Sequence, residues 1–405
     1  MKNYQSSITR IATLAVCFFT IQTLNAQWPQ WRGPMRDGFS VETNLLKTWP
    51  VDGPKLVWVS DTVGEGFSSA TVQDKVIYTT GKRDSVEIMT ALDLNGKIIW
   101  QKEFGKALKK DWPESRSTPT LYKNKLYALT AAGDMACLDS KTGSIVWAFS
   151  IYKKFDGVST YNGFGESPLV VDDKVILSPC GKKTTLVALN SATGETIWSS
   201  ESIADTNLYV SPVLVQNKDK KLIVTNVQNH VLAVDINSGK IVWKEKASLS
   251  MVPLPFGNQI YFSGTNGGKM MKISDDLSNL NFQWSDTIKT GNFGGTVRLG
   301  HRIYGVYDKG ITGIFCLDWK SGKTLSFTKL IGPANLLAAD GMIYSYEERN
   351  GRVSLLKPAD NSIDMVSSFK VKLGKGPNIA HMLIADGILY IRHGKYLMAY
   401  DIKQL

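Results

Sequence analysis

The stretch "CLDSKTGSIVW" (Cys137–Trp147) decides the fold. An apolar pair runs into an Asp, then a polar turn closing on Gly, then a β-rich run ending in Trp. That pattern is a β-hairpin, with Gly where the backbone needs positive φ. Four more stretches repeat it: "ALDLNGKIIW" (Ala91–Trp100), "ALNSATGETIW" (Ala188–Trp198), "AVDINSGKIVW" (Ala233–Trp243) and "CLDWKSGKTLSF" (Cys316–Phe327).

A second hairpin precedes each of these, as in "STPTLYKNKLYAL" (Ser117–Leu129) and "ESPLVVDDKVILS" (Glu166–Ser178). Each unit is therefore four short strands. The closing aromatics Trp100, Trp147, Trp198, Trp243, Trp284 and Phe327 recur at intervals of about 40–50 residues, the spacing of a propeller blade. One such blade cannot bury its own faces, so neighbours must stack. Inner hairpins start at Ser68, Ser117, Ser167, Ser211, Val252, Gly295, Ala334 and Ala380. The eighth unit stops at its Asp401 turn without a closing strand. "GPKLVWVSD" (Gly53–Asp61) supplies the match, with Trp58 in the slot of Trp100. The expected fold is all-β: an eight-bladed propeller of four-stranded antiparallel blades, closed by an N-terminal outer strand at Leu56–Val59. Closure removes the edges a half-blade would expose.

The N-terminus reads separately. Lys2 and Arg10 precede an apolar run, Ile11–Ile21, too short to span a bilayer. Residues 1–26 read as an export signal, which places the mature chain in the periplasm or outside the cell, with no transmembrane span. Residues 27–52 carry Trp28, Trp31 and Trp49, too much aromatic surface to leave in water. We expect a clasp across a propeller face or the closure seam, with Arg32 and Arg36 pairing with blade carboxylates. The alternative is a plug reaching the central channel. Residues 53–405 form the propeller.

The formal charge of +11 favours acidic ligands or anionic surfaces, but the lysines are spread along the chain. Export argues against nucleic acid. Cys137, Cys180 and Cys316 form no C-x-x-C and sit in different blades, so no disulfide is expected. The four His show no zinc spacing, and no metal site is expected. His230, His301 and His393 fall at hairpin turns and read as surface.

The pattern A-x-D-x-x-T-G-x-x-x-W, met most closely by Cys137–Trp147 and Ala188–Trp198, resembles the repeat of pyrroloquinoline-quinone-type propellers. The likeness covers about residues 53–405. The opening "WPQWRGPMRDG" with "GPKLVW" and "GEGFSSATV" (Gly64–Val72) is similar to a branch of exported quinone-propeller-like proteins. Related folds include the quinoprotein alcohol dehydrogenases, which imply pyrroloquinoline quinone with calcium. They also include the propeller lipoprotein of outer-membrane barrel assembly, a non-catalytic scaffold. The adjacent-cysteine disulfide of methanol-oxidising dehydrogenases has no counterpart here, and their calcium-binding set matches no positions of this chain.

Loops leading into the inner strands share one face of a propeller. Here the longest are Gly105–Arg116 and Tyr152–Glu166. They and their neighbours present the candidate ligand-binding residues Trp112, Arg116, Tyr161, Phe164, Glu166, Tyr209, Asn292, Asn335 and His381. His381 takes the slot filled elsewhere by Pro119, Pro168, Pro212 and Pro253. Such a face suits a small anion, a sugar or a protein segment. The leading reading is a monomeric, non-catalytic binding or scaffold propeller. A quinone-dependent alcohol or sugar dehydrogenase with a reduced pocket, and an outer-membrane protein assembly factor, stand as alternatives. Intact-mass measurement of exported protein should place the mature N-terminus at Gln27; a chain beginning at Met1 overturns the signal.

Overall fold

The computed structural model describes residues 27–247, 251–290, 295–307, 312–329 and 332–404. The expected export signal lies outside them. No described helix is long and apolar enough to cross a membrane.

The described strands form eight antiparallel blades of four strands; a short parallel strand, Phe39–Ser40, adds to the seventh. The inner strands are Thr71–Gln73, Thr120–Tyr122, Leu169–Val171, Val213–Asn217, Leu254–Phe256, Val297–Leu299, Ala334–Ala339 and Leu383–Ala385. The last blade closes as expected. Lys55–Ser60 pairs antiparallel with Tyr396–Asp401, setting Trp58 opposite Ala399.

The repeated turn explains the repeated blade. Asp139 Oδ1 accepts bonds from the Lys141 and Thr142 N–H groups and from Thr142 Oγ1, at 2.9–3.0 Å. This Asx-type turn hands the chain to Gly143 at φ +72°. A register shift then falls beside each outer-strand tryptophan. Such a bulge re-aims the side chain. The ring swings onto the next blade. Trp198 Nε1 donates to Ile236 O at 2.8 Å, and a Cβ on Gly239 would lie 2.4 Å from the Trp198 ring. The same pair of contacts joins Trp58 to Leu94 and Gly96, Trp100 to Ser140 and Gly143, Trp147 to Ser191 and Gly194, and Trp284 to Trp319 and Gly322. Glycine is required there because the indole occupies the space of a side chain.

Three interfaces depart from the pattern. Trp243 meets a turn (Ser274–Asn279) without glycine, and its buried Nε1 finds no partner. In blade six, register places Ser326 opposite Cys316, in the tryptophan slot. Phe327, read from sequence as the closing aromatic, is one residue past that slot, half exposed and edge-on to Tyr307. In blade seven Ser367 faces Leu355. There Trp49 of the N-terminal segment arrives instead. Its N–H donates to Ser367 Oγ at 2.9 Å, and its ring packs on Phe369 and Tyr344.

Cys137, Cys180 and Cys316 are free and buried. His393 corrects the surface reading. It is buried, with Nδ1 2.7 Å from Leu373 O and Nε2 2.9 Å from Gly376 O. The stretch 373–376 packs over it, so a hairpin position does not guarantee exposure.

The two docking modes differ by one hydrogen bond. Trp198→Phe strands the Ile236 carbonyl, whereas Trp243→Phe removes a donor that has no partner. Trp198→Phe should therefore cost about 1 kcal/mol more than Trp243→Phe in chemical denaturation. Equal losses would refute the assignment.

Candidate functional site

Residues Trp28–Ser40 run through the centre of the ring. Trp28 exchanges main-chain bonds with Val72 of blade one at 2.8 and 2.9 Å, and Pro29 O accepts from Leu121 N of blade two. Tight turns follow, with Arg36 N donating to Gly33 O and Gly38 N to Arg32 O. Phe39–Ser40 then pairs with Ala338–Ala339 of blade seven. Beyond it, Leu46 N donates to Ile402 O of blade eight, and Lys47 pairs with Asp340 of blade seven at 2.6 Å.

Two arginines hold the crossing in place. Arg36 donates to Ser167 O at 3.0 Å, Pro168 O at 2.5 Å and Pro212 O at 2.9 Å, with Thr120 Oγ1 at 3.5 Å. One guanidinium thus touches blades two, three and four, which is possible only near the axis. Arg32 donates to Thr296 O of blade six at 2.5 Å and to Asp37 O at 2.9 Å. Among the described contacts the partners are mainly main-chain carbonyls, with the Thr120 hydroxyl and the Gln30 side-chain oxygen, rather than the carboxylates expected from sequence. Main-chain carbonyls ahead of the inner strands face the axis without a strand to pair with, and a buried acceptor needs a donor. The five-donor fork of Arg suits several at once. Burial lowers the Arg36 pKa to about 9 and that of Arg32 to about 10, against the opposing pull of Glu166 and Asp37. Both stay charged at neutral pH.

Above this plug, a cavity of about 630 Å³ opens on the face carrying the long loops. Trp31 of the plug forms its floor, packed edge-on against His381 with ring centroids 5.1 Å apart. Phe67, Trp112, Leu208, Tyr209 and Met251 line the walls, with Arg116, Asn162 and Glu348 as polar members. Phe67 and Trp112 are tilted neighbours at 6.2 Å. Thr160 Oγ1 donates to the Tyr209 hydroxyl at 2.5 Å, fixing that ring to the blade-three loop.

The structure brings Trp112, Arg116, Tyr209 and His381 together around this cavity. Arg116 braces its walls: it donates to Asn162 O at 2.6 Å and to Trp112 O, joining the two long loops. Tyr161 stands outside on the rim, with Lys110 Nζ 4.7 Å from its ring centre. Phe164 is buried beneath, against Tyr152. Glu166 is buried, accepting from Ser178 N at 2.8 Å, and Asn335 donates to Ile379 O at 2.6 Å. Asn292 lies outside the described residues. Trp31 and Phe67 were missed as site residues. Both sit in the quoted "WPQWRGP" and "GEGFSSATV" motifs, but no hairpin periodicity assigns them a blade slot.

The described donor set does not fit a calcium-held quinone. A tricarboxylate needs several cations, and Arg116 alone lines the cavity, already engaged with two carbonyls. Glu348 is the one carboxylate among the described lining residues, and these residues hold no group of three or more potential metal-ligating His, Cys, Asp or Glu.

Fold and site together define an eight-bladed propeller of the PQQ-like repeat class, with an N-terminal axial plug and one aromatic funnel. A family profile described as outer membrane protein assembly factor BamB matches residues 42–162 and 157–367, and the chain belongs to this family. It is similar to the BamB of Moranella endobia, 27% identical over 187 residues, 44% of each chain. To that of Shewanella oneidensis it is 21% identical over 245 residues, 56% of each. The chain spans about half the length of these curated relatives. Among solved structures, BamB from Moraxella catarrhalis superposes with a TM-score of 0.65 at 15% identity, covering 87% of this chain and 98% of that one. A quinohemoprotein alcohol dehydrogenase from Comamonas testosteroni gives 0.70 at 12% identity, covering 94% and 81%. At such identities these two likenesses speak for the fold alone.

Glu166 yields a pH test. Burial raises its carboxyl from 4.5 to about 7, partly offset by Ser178 and Arg36. The folded state therefore keeps this proton to higher pH than the unfolded chain does. The group's contribution is most favourable below 4.5 and is lost as pH rises to about 7. Glu166→Gln keeps the acceptor for Ser178 N and removes the titration. Melting temperatures across that window should fall less with rising pH in Glu166→Gln than in the parent; parallel curves would refute the assignment.

Proposed function

We propose that this chain is an exported, non-catalytic binding propeller whose ligand enters the funnel and rests on Trp31. One observation supports this most: the channel is filled from the opposite face by a segment of the same chain, and that segment supplies an aromatic floor. The result is a concave, largely apolar well with few polar groups, the general form of a ligand site. Its titratable lining residues, Arg116, Glu348 and His381, come from separate blades. Arg116 serves as a brace. The role for which the curated relatives are named, assembly of outer membrane proteins, agrees with a binding function and with export.

The test is a fluorescence titration of the protein with the apolar dye anilinonaphthalene sulfonate. Trp112→Ala and Trp31→Phe should each weaken binding, the first by roughly tenfold, in line with loss of an aromatic wall. Lys240→Ala, on the opposite face, should bind as the parent does. Dye binding that survives Trp112→Ala but is lost in Lys240→Ala overturns the site. Alcohol-dependent dye reduction after addition of pyrroloquinoline quinone and calcium overturns the non-catalytic reading.

A further inference from the structure

Resting on that reading of the funnel, we propose that its occupant is an acidic protein segment that inserts an apolar side chain into the well. The rim is contiguous. Lys110 covers Tyr161, Arg116 ties Trp112 to Asn162, and Thr160 carries Tyr209. Trp112 is 49% exposed and Tyr161 64%, unusual values for large aromatics on a folded surface. They are neighbours, so one partner can cover both.

Charge selects the partner. Exposed Lys106, Lys109, Lys110 and Lys153 stand on the two long loops, and Lys182 and Lys183 continue the arc on blade three. Exposed Asp111 and Asp156, the half-buried Glu114 and the well-lining Glu348 oppose them, leaving cations in excess. Basic rims steer acidic partners toward a site and contribute mainly to association and specificity. Shape selects a chain segment over a membrane. A bilayer surface is flat and cannot enter a concavity of about 630 Å³, whereas one or two side chains can. The aromatic floor and walls then act as the anchor pocket, and the lysines as the polar rim.

Anisotropy of labelled short peptides tests this: one with a central Trp between Asp and Glu residues, one with Lys in place of the acids, and one acidic with Ala for Trp. The acidic Trp peptide should bind best and weaken with rising salt. Reversing Lys109 and Lys110 to Glu together should weaken it roughly tenfold without changing the melting temperature. Trp112→Ala should do the same, and Lys244→Glu, on an outer strand, should have no effect. Equal binding of the Lys peptide overturns the proposal. So does stronger binding to anionic vesicles than to any peptide. A protein that takes the dye in the funnel but no peptide overturns the proposal while leaving the funnel reading intact.

Discussion

The ring depends on one repeated contact, an outer-strand indole laid on the turn glycine of the next blade. A four-stranded blade has two apolar faces and no means to set the angle to its neighbour. The docked tryptophan supplies that angle, because its Nε1–H must reach one particular carbonyl, as Trp198 reaches Ile236. Each contact is local, and five of the eight interfaces carry it in full. The Asx turn, the glycine and the bulge are one device, since each is needed to bring the indole to that carbonyl.

At blade seven, where the device is missing, the N-terminal segment takes over. Ser326 and Ser367 occupy the tryptophan slots of blades six and seven. Beside the second of these, Trp49 is packed on Phe369, and the preceding residues bond to both blade seven and blade eight. Blade eight is also where the ends of the propeller meet through Lys55–Ser60. The strap therefore lies over the seam and the undocked interface together.

The regular part of this arrangement was legible in the sequence. Turn, glycine and tryptophan recur in fixed order, so the blade count and the closing strand follow from Gly53–Asp61 and the unfinished eighth unit. The irregular part was not. Phe327 reads as a closing aromatic because a one-residue offset leaves no mark in a sequence; only pairing register separates it from Ser326. Arg116 and Trp112 line the cavity because long loops ahead of inner strands converge on the axis. Phe164 and Glu166, on the other long loop, turned inward. Alternation is lost outside strands, so sequence does not tell a loop's outer residues from its inner ones. Trp31 could be assigned only by knowing where Arg36 goes, and its partners are carbonyls, which every residue has.

That last point explains why the funnel is ready-made. Carbonyl cages carry no sequence signature, but they measure geometry. Arg36 reaches Thr120, Ser167, Pro168 and Pro212 only if blades two, three and four stand at the right spacing. Arg32 makes the same demand of blade six. Burying two guanidiniums costs desolvation, which their lowered pKa values record. The cost is tolerated because removing either would strand the buried carbonyls it now satisfies. The position of Trp31, next to the Arg32 anchor in the chain, is thereby set by the whole ring and not by its own loop. A floor fixed in this way loses little freedom when a ligand arrives, and it is the preorganised element of the site.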